Sequence, residues 1–239
     1  MTAEFLLTGL ILFFAAFTQG MTGFGFAMVS LSMLTFIMNI NEAVPLAALC
    51  GLVINIYLVI KLKQHINFFE IKNLIIGAVI GIPIGAYILT ISNPGFLETV
   101  LGIVILLFVF LSVSKIIKQV GLHKLWGYVF GLFSGLLGGS LNTNGPPVLI
   151  YFYLHGFDKN KQKASITGFF IFTSLMVVIT HAVTGVTTKA VFLNFLAHLP
   201  FIIAGILVGN FYFYKISAEI YNRIILGFLF LISLFMILG

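Results

Sequence analysis

Long apolar stretches run through this chain, and most of its charges lie in the short segments between them. Six stretches hold about 18 to 23 residues each: 42–62, 68–90 and 96–116 in the first half, and 164–184, 191–213 and 221–238 in the second. A helix of that length crosses about 30 Å of hydrocarbon at 1.5 Å per residue. Charged residues form only 8% of the chain, against about a quarter in soluble domains. We therefore expect an all-α integral membrane protein with a single membrane domain over residues 1–239.

Two uncharged, glycine-rich breaks interrupt shorter apolar pieces at matching places in the two halves. The first is Thr18-Gln19-Gly20-Met21-Thr22-Gly23-Phe24-Gly25, and the second is Gly138-Gly139-Ser140-Leu141-Asn142-Thr143-Asn144-Gly145-Pro146-Pro147. The flanking pieces, 5–18, 25–38, 125–138 and 146–154, hold only about 9 to 15 residues each. None is comfortably long enough to cross a bilayer, so each pair is either one broken crossing or a re-entrant hairpin.

The chain is predicted to be a tandem duplication. Residues 5–118 and 124–239 follow the same order, a short piece, a break, a short piece and three long spans, with Gly25 matching Gly145. If both pairs of short pieces are hairpins, each repeat crosses the membrane three times. An odd number of crossings inverts the second repeat relative to the first, which is an arrangement typical of secondary transporters.

The basic residues favour the hairpins. With two hairpins, eleven lysines and arginines lie on one side of the membrane and only Lys189 on the other; with two single crossings the split is seven to five. Cytoplasmic loops carry the excess of Lys and Arg. The charges therefore predict that the lysine-rich loops are inside and that both chain termini are outside. The eleven are Lys61, Lys63, Lys72, Lys115, Lys118, Lys124, Lys159, Lys161, Lys163, Lys215 and Arg223.

The breaks have the chemistry of an anion site. Pro146 and Pro147 suit the first turn of a half-helix, whose positive dipole end would point toward the bilayer midplane. The candidate substrate-binding residues are Thr18, Gln19, Gly20, Thr22, Gly23 and Gly25 in the first break, and Ser140, Asn142, Thr143, Asn144, Gly145 and Pro146 in the second. Two such tips meeting across the inversion would hold a small oxyanion by backbone amides and neutral side-chain donors.

The same segments resemble a known family. Gly138-Gly139, Gly145-Pro146-Pro147 and Thr22-Gly23-Phe24-Gly25, together with the duplicated layout, are similar to the TauE/SafE family of sulfite exporters and sulfonate permeases. The resemblance implies a carrier for sulfite, organosulfonates or related sulfur oxyanions in a bacterial-type inner membrane. The second break of this chain reads Ser140-Leu141-Asn142-Thr143-Asn144, where members of that family are often richer in glycine.

Three further polar residues lie inside the long spans. Asn55, His181 and His198 are candidates for the substrate pocket or for a coupling role, since an imidazole titrates near physiological pH. The alternative for each histidine is a neutral, hydrogen-bonded side chain. Glycines within the apolar pieces, such as Gly9, Gly77, Gly81, Gly131 and Gly135, are interpreted as helix-packing positions.

The sequence disfavours the other functional classes. The chain has no P-loop, no His-Glu-x-x-His and no nucleophile–base pattern, so an enzyme is not predicted. A single cysteine, Cys50, excludes an internal disulfide and a cysteine-based metal site, and no cofactor or metal is predicted. Scattered basic residues do not indicate a nucleic-acid partner. The expected partners are a small anion and the lipid bilayer, with a homodimer as a candidate assembly. The alternative function is an anion channel whose pore the half-helices line.

Overall fold

The computed structural model describes residues 3–62, 66, 68–114, 122–155, 159–212 and 218–238, which form α-helices joined by short connections and contain no strand. The helices are α1 (Ala3–Thr22), α2 (Phe26–Leu34), α3 (Ile40–Leu62), α4 (Phe68–Ile91), α5 (Pro94–Ser114), α6 (Trp126–Leu141), α7 (Gly145–His155), α8 (Lys159–Val183), α9 (Lys189–Tyr212) and α10 (Ala218–Leu238). The all-α prediction is thus confirmed for this part of the chain. Some predictions fall on residues outside the described part of the chain. They are the span ends at 115–116 and 213, the end of the first repeat at 118, and the lysines Lys63, Lys115, Lys118 and Lys215 that entered the topology prediction.

Six of these helices are long and apolar enough to cross a membrane. They are α1, α3, α4, α5, α8 from Ala164 onward, and α9. The six predicted spans included α10 in place of α1. Helices α10 and α6 are not among the six because their described apolar stretches are shorter. The stretch in α10 is Leu226–Leu238, and α6 has 16 residues. A multi-pass membrane protein is therefore the architecture of this chain.

The first break begins later than its sequence suggested. Residues 18 to 22 were predicted to leave the helix, but α1 continues to Thr22 and has 20 residues. The prediction was wrong because the threonine hydroxyls fold back on their own helix. Thr18 donates to the carbonyl of Phe14 at 2.8 Å, and Thr22 donates to that of Thr18 at 2.9 Å. Polar groups satisfied in this way need not interrupt a membrane helix.

Positive-φ residues make the actual breaks short. In the first, Gly23 and Gly25 have φ angles of 84° and 95°, a region that favours glycine. In the second, α6 ends at Leu141 and Asn142 takes a φ of 49°. The amides of Asn142 and Thr143 then bond the carbonyls of Gly138 and Leu137 at 2.9 and 3.1 Å, which closes the helix as a left-handed C-terminal cap does. Each break between helices is therefore only three residues long, 23–25 in the first half and 142–144 in the second.

Glycines let α6 lie directly against the backbone of α4. They are Gly77, Gly81 and Gly85 on α4 and Gly131, Gly135 and Gly139 on α6, and a Cβ atom at any of them would meet a main-chain carbonyl of the other helix. For Gly139 that carbonyl belongs to Ile82. The packing role expected for Gly77, Gly81, Gly131 and Gly135 agrees with this contact.

Helices α1 and α9 pack in the same way. Gly205 and Gly209 of α9 face the backbone carbonyls of Phe13 and Phe17, and a Cβ atom at Gly9 would lie 2.8 Å from the ring of Phe201. The first helix of each half thus packs on the fourth helix of the other half, α1 on α9 and α6 on α4. The third helices of the two halves, α3 and α8, contact each other, as do the fifth helices, α5 and α10. A duplicated chain is expected to show such matching contacts between its two halves.

Candidate functional site

A small cavity lies between the two breaks, and we call it the central cavity. The described residues that line it are Gln19, Gly25, Phe26, Ala27, Met28, Gly51, Asn55, Asn142, Thr143, Asn144, Gly145, Phe170 and Ser174. The space open to the centre of a water molecule is about 40 Å³. One water needs about 10–15 Å³ by that measure, so the cavity has room for a few waters or one small ion.

Seven of the predicted site residues meet in the central cavity. They are Gln19, Gly25, Asn55, Asn142, Thr143, Asn144 and Gly145. None of the described lining residues carries a formal charge. The lining therefore combines four amide side chains, two hydroxyls and three glycines, and it is the kind of neutral polar wall that the sequence predicted.

The other predicted residues lie elsewhere. Gly20 packs on α9, where a Cβ atom would lie 2.9 Å from the carbonyl oxygen of Ile206. Ser140 donates to the carbonyl of Leu136 at 2.7 Å, and Pro146 lines an apolar groove with Phe108. The residues that do not line the central cavity are Thr18, Gly20, Thr22, Gly23, Ser140, Pro146, His181 and His198. Of these, Thr18 and Thr22 line a second, neighbouring cavity.

Two helix N-termini converge on the central cavity. Gly25 begins α2 without a side-chain cap, and Phe26, Ala27 and Met28 of the first turn line the cavity wall. Opposite them, Asn144 and Gly145 lead into α7. The first amides of a helix have no intrahelical acceptor, and each N-terminus has the effect of about half a positive charge. Each of these N-termini therefore contributes positive potential to a pocket whose described lining has no charged side chain.

Hydrogen bonds hold three of the four amide side chains of the lining in place, those of Gln19, Asn55 and Asn144. Gln19 of α1 donates to Asn55 of α3 at 2.8 Å, and Asn55 donates to the carbonyl of Phe170 at 3.5 Å. In the second half, Asn144 donates to Thr173 of α8 at 2.7 Å, while its own carbonyl accepts from Ser134 at 2.6 Å. Each break is thus tied to the third helix of its own half.

Residues 8–236, which include both breaks, match the family described as Sulfite exporter TauE/SafE. The chain belongs to the TauE/SafE family. This confirms the resemblance inferred from the glycine and proline runs of the two breaks. The chain is also similar to a Cupriavidus necator protein named "Probable sulfite/organosulfonate exporter TauE", with 26% identity over 221 residues, which cover 88% of this chain and 85% of that protein. No solved structure matches the chain.

The two intramembrane histidines of this TauE/SafE chain contact main-chain carbonyls and do not line the central cavity. His181 is fully buried, its Nε2 lies 2.7 Å from the carbonyl oxygen of Gly139, and its Nδ1 has no hydrogen-bond partner. In His198, Nδ1 lies 2.8 Å from the carbonyl oxygen of Asn194 and Nε2 lies 3.1 Å from that of Phe5. The contact of His181 with Gly139 joins α8 to α6, and the contact of His198 with Phe5 joins α9 to α1.

The sequence analysis missed six lining residues: Phe26, Ala27 and Met28 on α2, Gly51 on α3, and Phe170 and Ser174 on α8. A signal for Gly51 existed, because it lies four residues before Asn55 on α3 and therefore on the same helix face. Phe170 and Ser174 have the same spacing on α8. The pair Gly51 and Asn55 lies on the third helix of the first half, and the pair Phe170 and Ser174 on the third helix of the second half. Within the described residues, no three His, Cys, Asp or Glu side chains group as a metal site.

Proposed function

We propose that this chain is a secondary transporter of a small anion, most simply sulfite, an organosulfonate or a related sulfur oxyanion. The central cavity binds the anion, and alternating access moves it across the membrane. The observation that carries the proposal is the convergence of two helix N-termini, one of them without a side-chain cap, on an uncharged polar cavity. The name of the Cupriavidus relative supports sulfite and organosulfonates as the substrate class.

The chemistry of the cavity suits transport. Backbone amides and neutral donors bind an oxyanion without a fixed cation, and weak multi-point binding allows release on the other side. A lining of paired segments from two halves supports an inverted-repeat carrier, in which one half moves relative to the other around a fixed site. We propose that the α1–α2 and α6–α7 pairs are the two hairpin elements of that carrier.

Transport in liposomes tests this proposal. Purified protein should take up sulfite with saturation and counterflow, and a panel of thiosulfate, taurine and sulfoacetate should define the substrate. Uptake that rises in proportion to the gradient, without counterflow, would instead identify an anion channel. The absence of transport for every sulfur oxyanion would refute the proposal.

Gly51→Leu should reduce sulfite uptake at least about tenfold, because its side chain fills the central cavity. A Cβ atom at Gly51 would lie 3.8 Å from Asn142 Nδ2 and from Phe26 Cδ1, so the remaining leucine atoms occupy the space of the anion. Gly227→Leu is the matched control, since a Cβ atom there meets nothing within 4 Å and the residue lines a groove between α5 and α10 whose described lining is apolar except for Arg223. Equal uptake by the two variants would place the anion elsewhere.

We further propose a bacterial-type inner membrane as the location, with the lysine-rich loops inside and both termini outside. The expected result is that cysteines at positions 4 and 160, introduced singly in a Cys50→Ala background, react with an impermeant thiol reagent from opposite sides. Position 4 should react from outside in intact cells, because only that orientation puts eleven basic residues inside. Labelling of both positions from one side would contradict the hairpin topology.

A further inference from the structure

A second cavity adjoins the central cavity, and we call it the vestibule. The described residues that line it are Thr18, Thr22, Phe24, Gly25, Met28, Phe108, Ser112, Arg223, Leu226 and Leu229. Its volume is about 290 Å³, several times the 40 Å³ of the central cavity. Gly25 and Met28 line both spaces, so the two cavities meet at the first turn of α2.

Arg223 gives the vestibule its charge. Among the described residues that line the two cavities, it is the one with a formal charge. Its side chain is exposed on α10 and lines both the vestibule and the groove between α5 and α10. A guanidinium group presents several N–H donors in a plane and binds oxyanions with two parallel hydrogen bonds.

The hydroxyl groups of the vestibule donate their protons to the backbone. Thr22 donates to the carbonyls of Thr18 and Phe24 at 2.9 and 2.6 Å. Thr18 and Ser112 donate to the carbonyls four residues before them at 2.8 and 2.7 Å. These hydroxyl protons are therefore directed to main-chain carbonyls, and Arg223 supplies the formal positive charge of the described wall.

We propose that the vestibule is a second anion site, in which Arg223 captures the sulfur oxyanion before it passes the first turn of α2 into the central cavity. This proposal rests on the function proposed above. The larger volume accommodates an anion that still carries water, whereas the central cavity has room only for the dehydrated ion. Arg223 shares its predicted membrane side with ten lysines, so the vestibule would load the carrier from the lysine-rich side.

Arg223→Gln tests the proposal in sulfite-uptake assays with reconstituted protein. We expect KM to rise by about tenfold or more, the effect of losing one charge-assisted hydrogen bond, while the rate at saturating sulfite stays within about twofold because the central cavity is intact. The dependence of kcat/KM on ionic strength should weaken, since a steering charge has been removed. Arg223→Lys should keep that salt dependence and restore part of the affinity.

Lys72→Gln is the matched control, because it removes one exposed cation from the same predicted side without touching either cavity. It should leave both KM and the salt dependence unchanged. An unchanged KM in Arg223→Gln, or a lower saturating rate at constant KM, would overturn the vestibule site while leaving the proposed function standing. A wild-type protein that carries no sulfur oxyanion would refute the proposed function, and the vestibule site with it.

Discussion

Asn142→Asp should abolish sulfite transport while the protein still folds and inserts. Asn142 lines the central cavity, and its φ of 49° is a conformation that aspartate tolerates almost as well as asparagine. The substitution is nearly isosteric, so its main effect is a negative charge beside the bound anion. Two like charges at roughly 4 Å repel by about 4 kcal/mol at an effective dielectric of 20, or about a thousandfold in affinity.

Asn93→Asp is the control for the added charge. Asn93 is exposed at the start of α5, and its side-chain oxygen accepts the amide of Phe96 at 2.7 Å. Aspartate caps a helix there equally well, so transport should be unchanged. Asn142→Gly keeps the backbone conformation and removes only one neutral donor, for which we expect a loss of about two- to tenfold. Binding of sulfite by Asn142→Asp at wild-type affinity would exclude the central cavity as the anion site.

Gly139→Ala should destabilise the protein by about 2 kcal/mol or more, a typical cost of overpacking. Its Cβ atom would press on the carbonyl of Ile82 and lie 2.8 Å from the amide nitrogen of Ala86. These are main-chain atoms of α4, so no side chain can rotate away. On its other side, the carbonyl of Gly139 bonds His181 of α8, which limits how far α6 can retreat.

The thermal unfolding of purified protein in detergent measures this effect. Gly227→Ala serves as the reference, because a Cβ atom there meets nothing within 4 Å and alanine is the better helix former by up to about 1 kcal/mol. The two alanine variants should therefore shift the melting temperature in opposite directions. A melting temperature of Gly139→Ala at or above that of wild type would show that the α4–α6 contact is looser than described.

The sequence predicted the helical class, the family and the composition of the central cavity wall from local signals. Gly25 and the Gly145-Pro146-Pro147 run mark helix starts because their backbone requirements are local. Thr18 and Gly20 were predicted to line the pocket but do not line the central cavity, since a polar or small residue does not show from sequence whether it faces a cavity, its own helix or a neighbouring helix. Hydrogen bonds from Thr18 to Phe14, and the contact of Gly20 with α9, decide this.

Long-range features were the hardest to predict. The ties from Gln19 to Asn55 and from Asn144 to Thr173 depend on the rotation of α3 and α8 about their axes. Hydrophobic periodicity reports such rotation when one helix face is polar, but helices buried in protein and lipid are apolar on every side. For the same reason, apolar periodicity did not indicate that Gly51 and Phe170 line the central cavity. The pairing of α1 with α9 follows from glycines that are far apart in sequence and that many other helices could have matched.

The pairing of α1 with α9 also sets the order in which the molecule can be completed during synthesis. Helix α6 finds α4 already made, but the contact of His198 with Phe5 spans 193 residues of chain. At about 5–20 residues per second, translation takes roughly 10 to 40 s to cover such a distance. During that interval α1 lies in the membrane without its partner, and lipid or the insertion machinery must cover the face that Gly205 and Gly209 later occupy. Helix α1, although made long before α9, is therefore among the last of the described helices to reach its final packing.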